Sequence, residues 1–107
     1  MRLSLCATTA IGEGEALKVR AGGMDYAVYN LGGVFFVTQN VCTHGPGSLG
    51  DGFVDGDEIE CDFHQGRFDI RTGRATAAPC TDPLKIWDVT VEDGQVCIDP
   101  AAGRIAA

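Results

Sequence analysis

The chain has 107 residues, 45% of them hydrophobic and 21% charged, which suits one compact domain and is too short for two with separate cores. Eight Lys and Arg against fifteen Asp and Glu leave a formal net charge of −7. That balance argues against nucleic acid or an anionic membrane as partner and for a protein with a basic docking face. Fifteen glycines point to tight turns between short strands rather than to helices.

Short apolar runs separated by turn residues follow one another along the chain. Arg2 to Ala7 and Ala16 to Arg20 read as strands, the second ending at Ala21-Gly22-Gly23. Asp25 to Asn30 and Val34 to Thr38 flank Leu31-Gly32-Gly33, a hairpin with Gly where a positive φ is needed. Phe53-Val54 and Glu58 to Cys61 flank Asp55-Gly56-Asp57 as a second hairpin, and Arg67 to Ile70 runs into the turn Arg71-Thr72-Gly73. Lys85 to Val91 and Gln95 to Ile98 flank Glu92-Asp93-Gly94 as a third. The alternation slips across Leu84, Ile86, Trp87, Val89 and Val91, so a bulge or burial on both faces is expected there. No stretch holds a helical period for three turns. The reading is an all-β domain of many short strands.

Residues 41 to 83 are dense in Gly, Pro, Cys, His and Asp, whereas residues 1–40 and 84–107 read as core strands. The opening Met1-Arg2-Leu3-Ser4-Leu5-Cys6 lacks the apolar stretch of a signal peptide, and no window approaches the roughly 18 apolar residues of a membrane span. A cytoplasmic protein is expected. Cys6, Cys42, Cys61, Cys80 and Cys97 make an odd set in a reducing compartment, which favours a metal site or buried thiols over a disulfide framework.

Cys42-Thr43-His44 and Cys61-Asp62-Phe63-His64 carry the chemistry. Each pairs a soft thiolate with an imidazole two or three residues later, close enough for one loop to present both to one metal centre. These two units use both histidines of the chain. None is left for the two-His, one-carboxylate iron site of an oxygen-activating enzyme. A Cys2His2 set can hold structural zinc, but zinc fingers usually draw both Cys from one segment and both His from the other. A mixed pair on each loop suits a two-iron cluster, one iron taking both thiolates and the other both imidazoles.

The pattern C-T-H, sixteen residues, C-D-F-H, then Gln65-Gly66-Arg67-Phe68-Asp69 and Thr72-Gly73, resembles the Rieske [2Fe-2S] family. In detail it is similar to the soluble ferredoxins of bacterial aromatic-ring-hydroxylating dioxygenase systems. The resemblance covers essentially the whole chain. It implies a single domain over residues 1–107: an antiparallel β-sandwich base with a small cluster-binding subdomain inserted at about 41–83. By the same resemblance Cys42 and Cys61 hold the buried iron of one [2Fe-2S] cluster per chain. His44 and His64 hold the outer iron, their imidazole edges near solvent, and a proline-containing loop around Ala78-Pro79 covers the cluster.

The implied function is that of a one-electron carrier with no catalytic residue of its own. It would be a monomer that accepts electrons from an NAD(P)H-dependent flavoprotein ferredoxin reductase and passes them to a terminal ring-hydroxylating oxygenase. A small electron-input subunit fixed in a larger oxidoreductase, and a zinc-stapled structural module, are the alternatives. Rieske proteins of quinol-oxidising complexes carry an extra Cys in each loop and a hydroxyl residue after the second His. Here Gly45-Pro46-Gly47, Phe63 and Gln65-Gly66 occupy those regions. The potential is therefore expected at the low end of the Rieske range, roughly −150 mV. Two ferric irons, two sulfides, two thiolates and two neutral imidazoles leave the oxidised centre uncharged. Replacing His64 by Cys should therefore lower the potential.

Other features read as structural. Gly45-Pro46-Gly47-Ser48-Leu49-Gly50 satisfies G-x-G-x-x-G, but it follows a ligand, contains Pro46 and meets no helix, so a turn beside the cluster is expected and not a dinucleotide site. Cys6, Cys80 and Cys97 lie at no ligand spacing and read as buried thiols, with Cys80, beside Pro79, the one placed to approach and tune the cluster. Trp87 and the Val34 to Val37 run read as core. Between Arg20 and Arg67 there is no Lys or Arg, yet Asp25, Asp51, Asp55, Asp57, Glu58, Glu60 and Asp62 fall there, and Arg67, Arg71 and Arg74 follow. Solvated hairpin tips and a docking face for a basic partner are the two readings of that acidic set.

Overall fold

The computed structural model describes residues 2–43, 45–63, 65–78 and 80–105. Among them the chain forms twelve strands and three single turns of 3-10 helix: β1 (Leu3–Ala7), β2 (Glu15–Ala21), β3 (Met24–Leu31), β4 (Val34–Gln39), β5 (Phe53–Asp55), β6 (Glu58–Glu60), β7 (Arg67–Asp69), β8 (Ala75–Ala77), β9 (Lys85–Trp87), β10 (Thr90–Glu92), β11 (Gln95–Ile98) and β12 (Arg104–Ile105). They build three antiparallel sheets with strand orders β1-β11-β10, β12-β9-β4-β3-β2 and β5-β6-β7-β8. No helix of the described residues is long and apolar enough to cross a membrane.

Strand β3 divides the interior. Successive side chains of a strand point to opposite faces. Tyr26 and Val28 accordingly join a core with Leu5, Trp87, Val96 and Ile98 against the three-stranded sheet. Ala27 and Tyr29 join a second core with Ile59, Phe68, Leu84 and the sulfurs of Cys42, Cys61 and Cys80. Tyr29, Phe68, Ile59 and Leu84 are wholly buried, each worth roughly 1.5–3 kcal/mol. The partition explains the alternation in β3: the even positions serve the sandwich and the odd positions serve the cysteine end.

The hairpin β3–β4 turns at Gly32 and Gly33, with φ of 64° and 92°, the left-handed pair that the strand register demands. The expected single strand from Lys85 to Val91 is a correction. It is two strands, β9 pairing with β4 and β10 pairing with β11, so the chain leaves one sheet and enters the other around Asp88-Val89. The slipped alternation marks that crossing, where inward-facing positions change sheets. Strand β7 stops at Asp69 because its carboxylate accepts the backbone N–H groups of Arg71 (2.8 Å) and Thr72 (3.1 Å), closing the turn.

Candidate metal centre

Strand β4 runs into the first cysteine loop through Asn40, which is only 3% exposed. Its carbonyl accepts the N–H of Leu49 (2.8 Å), its Oδ1 accepts that of Gly50 (2.7 Å), and its Nδ2 donates to Ser48 Oγ (3.0 Å). One buried amide thus fixes where the loop returns. The loop itself closes with the Cys42 N–H on the Gly47 carbonyl at 2.9 Å. The second loop, between β6 and β7, closes in the same way: the Cys61 N–H donates to the Gly66 carbonyl at 2.8 Å. Both cysteines therefore sit five residues before a glycine that receives their backbone hydrogen.

Those glycines also make room for sulfur. A Cβ on Gly47 would lie 2.2 Å from Cys61 Sγ, and one on Gly66 would lie 2.1 Å from Cys80 Sγ. Both distances are far inside van der Waals contact, so neither position tolerates a side chain without moving a sulfur. Two further bonds tie the loops to their surroundings. Asp62 Oδ1 accepts the Ser48 N–H at 2.8 Å, joining the two loops, and Thr43 Oγ1 donates to the Asp82 carbonyl at 2.8 Å.

Cys42 and Cys61 are 3% and 1% exposed. Burial pushes the Cys61 thiol up to about 11; its proximity to the Cys42 sulfur and to Asp62 adds to the rise, and the Phe63 N–H, 3.4 Å from Cys61 Sγ, opposes it. Two reduced, buried thiols within hydrogen-bonding reach of each other suit a positive metal centre, because a buried thiolate needs a compensating charge. Soft donors, two glycines whose missing side chains leave room for sulfur and a backbone N–H aimed at one sulfur all fit an iron–sulfur group.

The structure thus brings Cys42 and Cys61 together; His44, His64 and Pro79 lie outside the described residues. Cys80, 5% exposed, joins the same core, whereas Cys6 and Cys97 lie in β1 and β11 on the three-stranded sheet. Residues 45–50 form a loop running into a 3-10 turn at Leu49–Asp51, with no α-helix to follow. The acidic stretch is largely answered within the chain: Arg67 reaches Asp55 (2.9 Å), Glu58 (3.2 Å) and Glu60 (3.2 Å), and Arg71 reaches Asp57 (3.6 Å). The sequence gives no role to Asn40, and it places Gly47 and Gly66 beside the cluster without showing that they make room for sulfur. The repeated spacing Cys-x4-Gly was the signal for the two glycines; a lone Asn after a strand gives none.

The Rieske [2Fe-2S] domain matches residues 1–88. This chain belongs to the Rieske [2Fe-2S] family. It is 51% identical over 102 residues to the ferredoxin component of the p-cumate 2,3-dioxygenase system of Pseudomonas putida, covering 94% of this chain and 86% of that protein. The solved ferredoxin of Sphingomonas yanoikuyae B1 superposes with a TM-score of 0.89 at 51% identity, covering 92% of this chain and 98% of that one. A ferredoxin solved in complex with the reduced oxygenase of carbazole 1,9a-dioxygenase superposes at 0.84 with 42% identity, each chain covered to 91%. The cofactor of this Rieske protein is a [2Fe-2S] cluster, which sets the zinc alternative aside. Like its relatives it is an electron-transfer component and not itself a catalytic enzyme.

Proposed function

We propose that the chain is the ferredoxin component of an aromatic-ring-hydroxylating dioxygenase system. It takes one electron at a time from an NAD(P)H-dependent flavoprotein reductase and delivers it to the terminal oxygenase. Cys42 and Cys61 hold one iron, and His44 and His64 hold the other. The cluster, when bound, supplies a one-electron couple expected near the low end of the Rieske range, roughly −150 mV.

The observation that carries this reading is the pair of matched loops. They present two buried sulfurs, Cys42 and Cys61, side by side, each followed in sequence by a histidine. The chain's own residues hold the site dry, orient the sulfurs through the Gly47 and Gly66 carbonyls, and donate one N–H from Phe63 to Cys61 Sγ. Val41 and Phe63, 53% and 40% exposed, flank the two cysteines and give a partner an apolar contact at the loop end. The related ferredoxin seated on the carbazole 1,9a-dioxygenase oxygenase supports the choice of partner. A monomer acting in the cytoplasm completes the proposal.

The test is reconstitution with the reductase and oxygenase of the p-cumate system and p-cumate itself. Substrate oxidation that rises with added ferredoxin, and disappears with the His64→Ala variant, is the expected result. Equal oxidation with and without the protein would contradict it.

A further inference from the structure

Beyond the four ligands, a third sulfur lies at the centre. Cys80 Sγ is 3.9 Å from Cys42 Sγ, within the longer reach of a sulfur hydrogen bond, and both side chains are buried where water does not compete. Between two thiols either sulfur can donate. Once Cys42 binds iron as a thiolate it has no proton to give, and the direction is fixed.

We infer that the Cys80 S–H donates to the Cys42 sulfur and raises the reduction potential of the cluster. The inference rests on Cys42 being a ligand. A hydrogen bond to a ligand sulfur favours the state carrying more negative charge, which is the reduced one. No covalent bond changes; Cys80 acts through Cys42 and is a positioning residue.

The surrounding structure is arranged to hold that contact. Cys80 donates its own N–H to the Ala77 carbonyl at 3.2 Å, and Thr43 Oγ1 holds the Asp82 carbonyl at 2.8 Å, so the segment is pinned on either side of the sulfur. Gly66 leaves the space it occupies, since a Cβ there would come within 2.1 Å of Cys80 Sγ and 3.2 Å of its Cβ and backbone N. A residue that only filled the core would not need its sulfur beside that of a ligand.

The experiment is a mediated redox titration of the cluster-loaded protein and of Cys80→Ala, Cys80→Ser and Cys80→Val, with iron and sulfide measured on each sample. At a fixed solution potential, Cys80→Ala and Cys80→Val should lower the reduced-to-oxidised ratio by about threefold, a fall of about 28 mV for a one-electron couple. Cys80→Ser, which keeps a donor, should match or exceed the wild type. A Cys80→Ala potential equal to the wild type, or a Cys80→Ser potential that falls with it, overturns the inference. Should Cys80→Ala fail to load, Cys80→Ser against Cys80→Val decides by the same signs. Loss of the cluster from all three overturns it too, because a tuning donor is dispensable for loading. Failure of the wild type itself to hold two irons would instead refute the ligand assignment.

Discussion

The two cysteine loops share a frame and differ in what braces them. In each, a Cys N–H closes on a glycine carbonyl five residues later. The first loop hangs on Asn40, a buried uncharged side chain with bonds to Ser48 and Gly50. The second is flanked by Arg67, a partly exposed cation in β7 that holds Asp55, Glu58 and Glu60. Loss of a buried amide strands backbone groups away from water. Loss of a surface cation leaves carboxylates that water and salt can screen. One fold thus secures two equivalent loops with unequal kinds of force.

The glycines give the largest contrast. Gly47→Ala should abolish cluster loading, because its Cβ would displace the sulfur of Cys61, a proposed ligand. Gly66→Ala displaces Cys80, which lies outside the proposed ligand set, and should retain more iron while its potential falls in the direction expected for Cys80→Ala. Iron content and redox titration on both variants check this. Equal loading of the two would remove the distinction.

The braces come next. Asn40→Ala leaves the buried N–H of Gly50 without its acceptor and should cost about 3 kcal/mol of unfolding free energy, little changed by salt. Arg67→Gln should lower the melting temperature by less, and added salt should narrow the gap from wild type by screening the three carboxylates. Chemical denaturation at low and high ionic strength separates them; a salt-dependent Asn40→Ala effect would blur the comparison.

The smallest effect is expected at the strut between the loops. Asp62→Ala removes the acceptor of the Ser48 N–H and should cost about 1 kcal/mol, while Asp62→Asn keeps an oxygen there and should cost less. Denaturant titration of both variants is the check.

Much of this is legible in the sequence. Hairpin turns at Gly32-Gly33 and Asp93-Gly94, set between alternating residues, announce antiparallel strands, because glycine adopts left-handed backbone at little cost and Asp tolerates it. Cys42 and Cys61 stand out because chemistry needs their types at that spacing. Strands β8 and β12 were not legible: Ala75–Ala77 and Arg104–Ile105 are too short to show alternation. The crossing at Asp88-Val89 made two strands read as one, since the period gives a face but not the sheet it faces. The acidic stretch read as exposed charge because its partners Arg67 and Arg71 meet it only through strand pairing and turn packing. Cys80 is adjacent to Pro79 in sequence, but its distance to Cys42 comes from the fold alone.

Metal analysis of anaerobically purified protein tests the proposed ligand set most directly. About two irons and two acid-labile sulfides per chain, with negligible zinc, are predicted for the wild type and for Cys97→Ala. Loss of that content is predicted for Cys42→Ala, His44→Ala, Cys61→Ala and His64→Ala. Stoichiometric zinc in the wild type, or full iron and sulfide retained after any one of those four substitutions, would contradict the account.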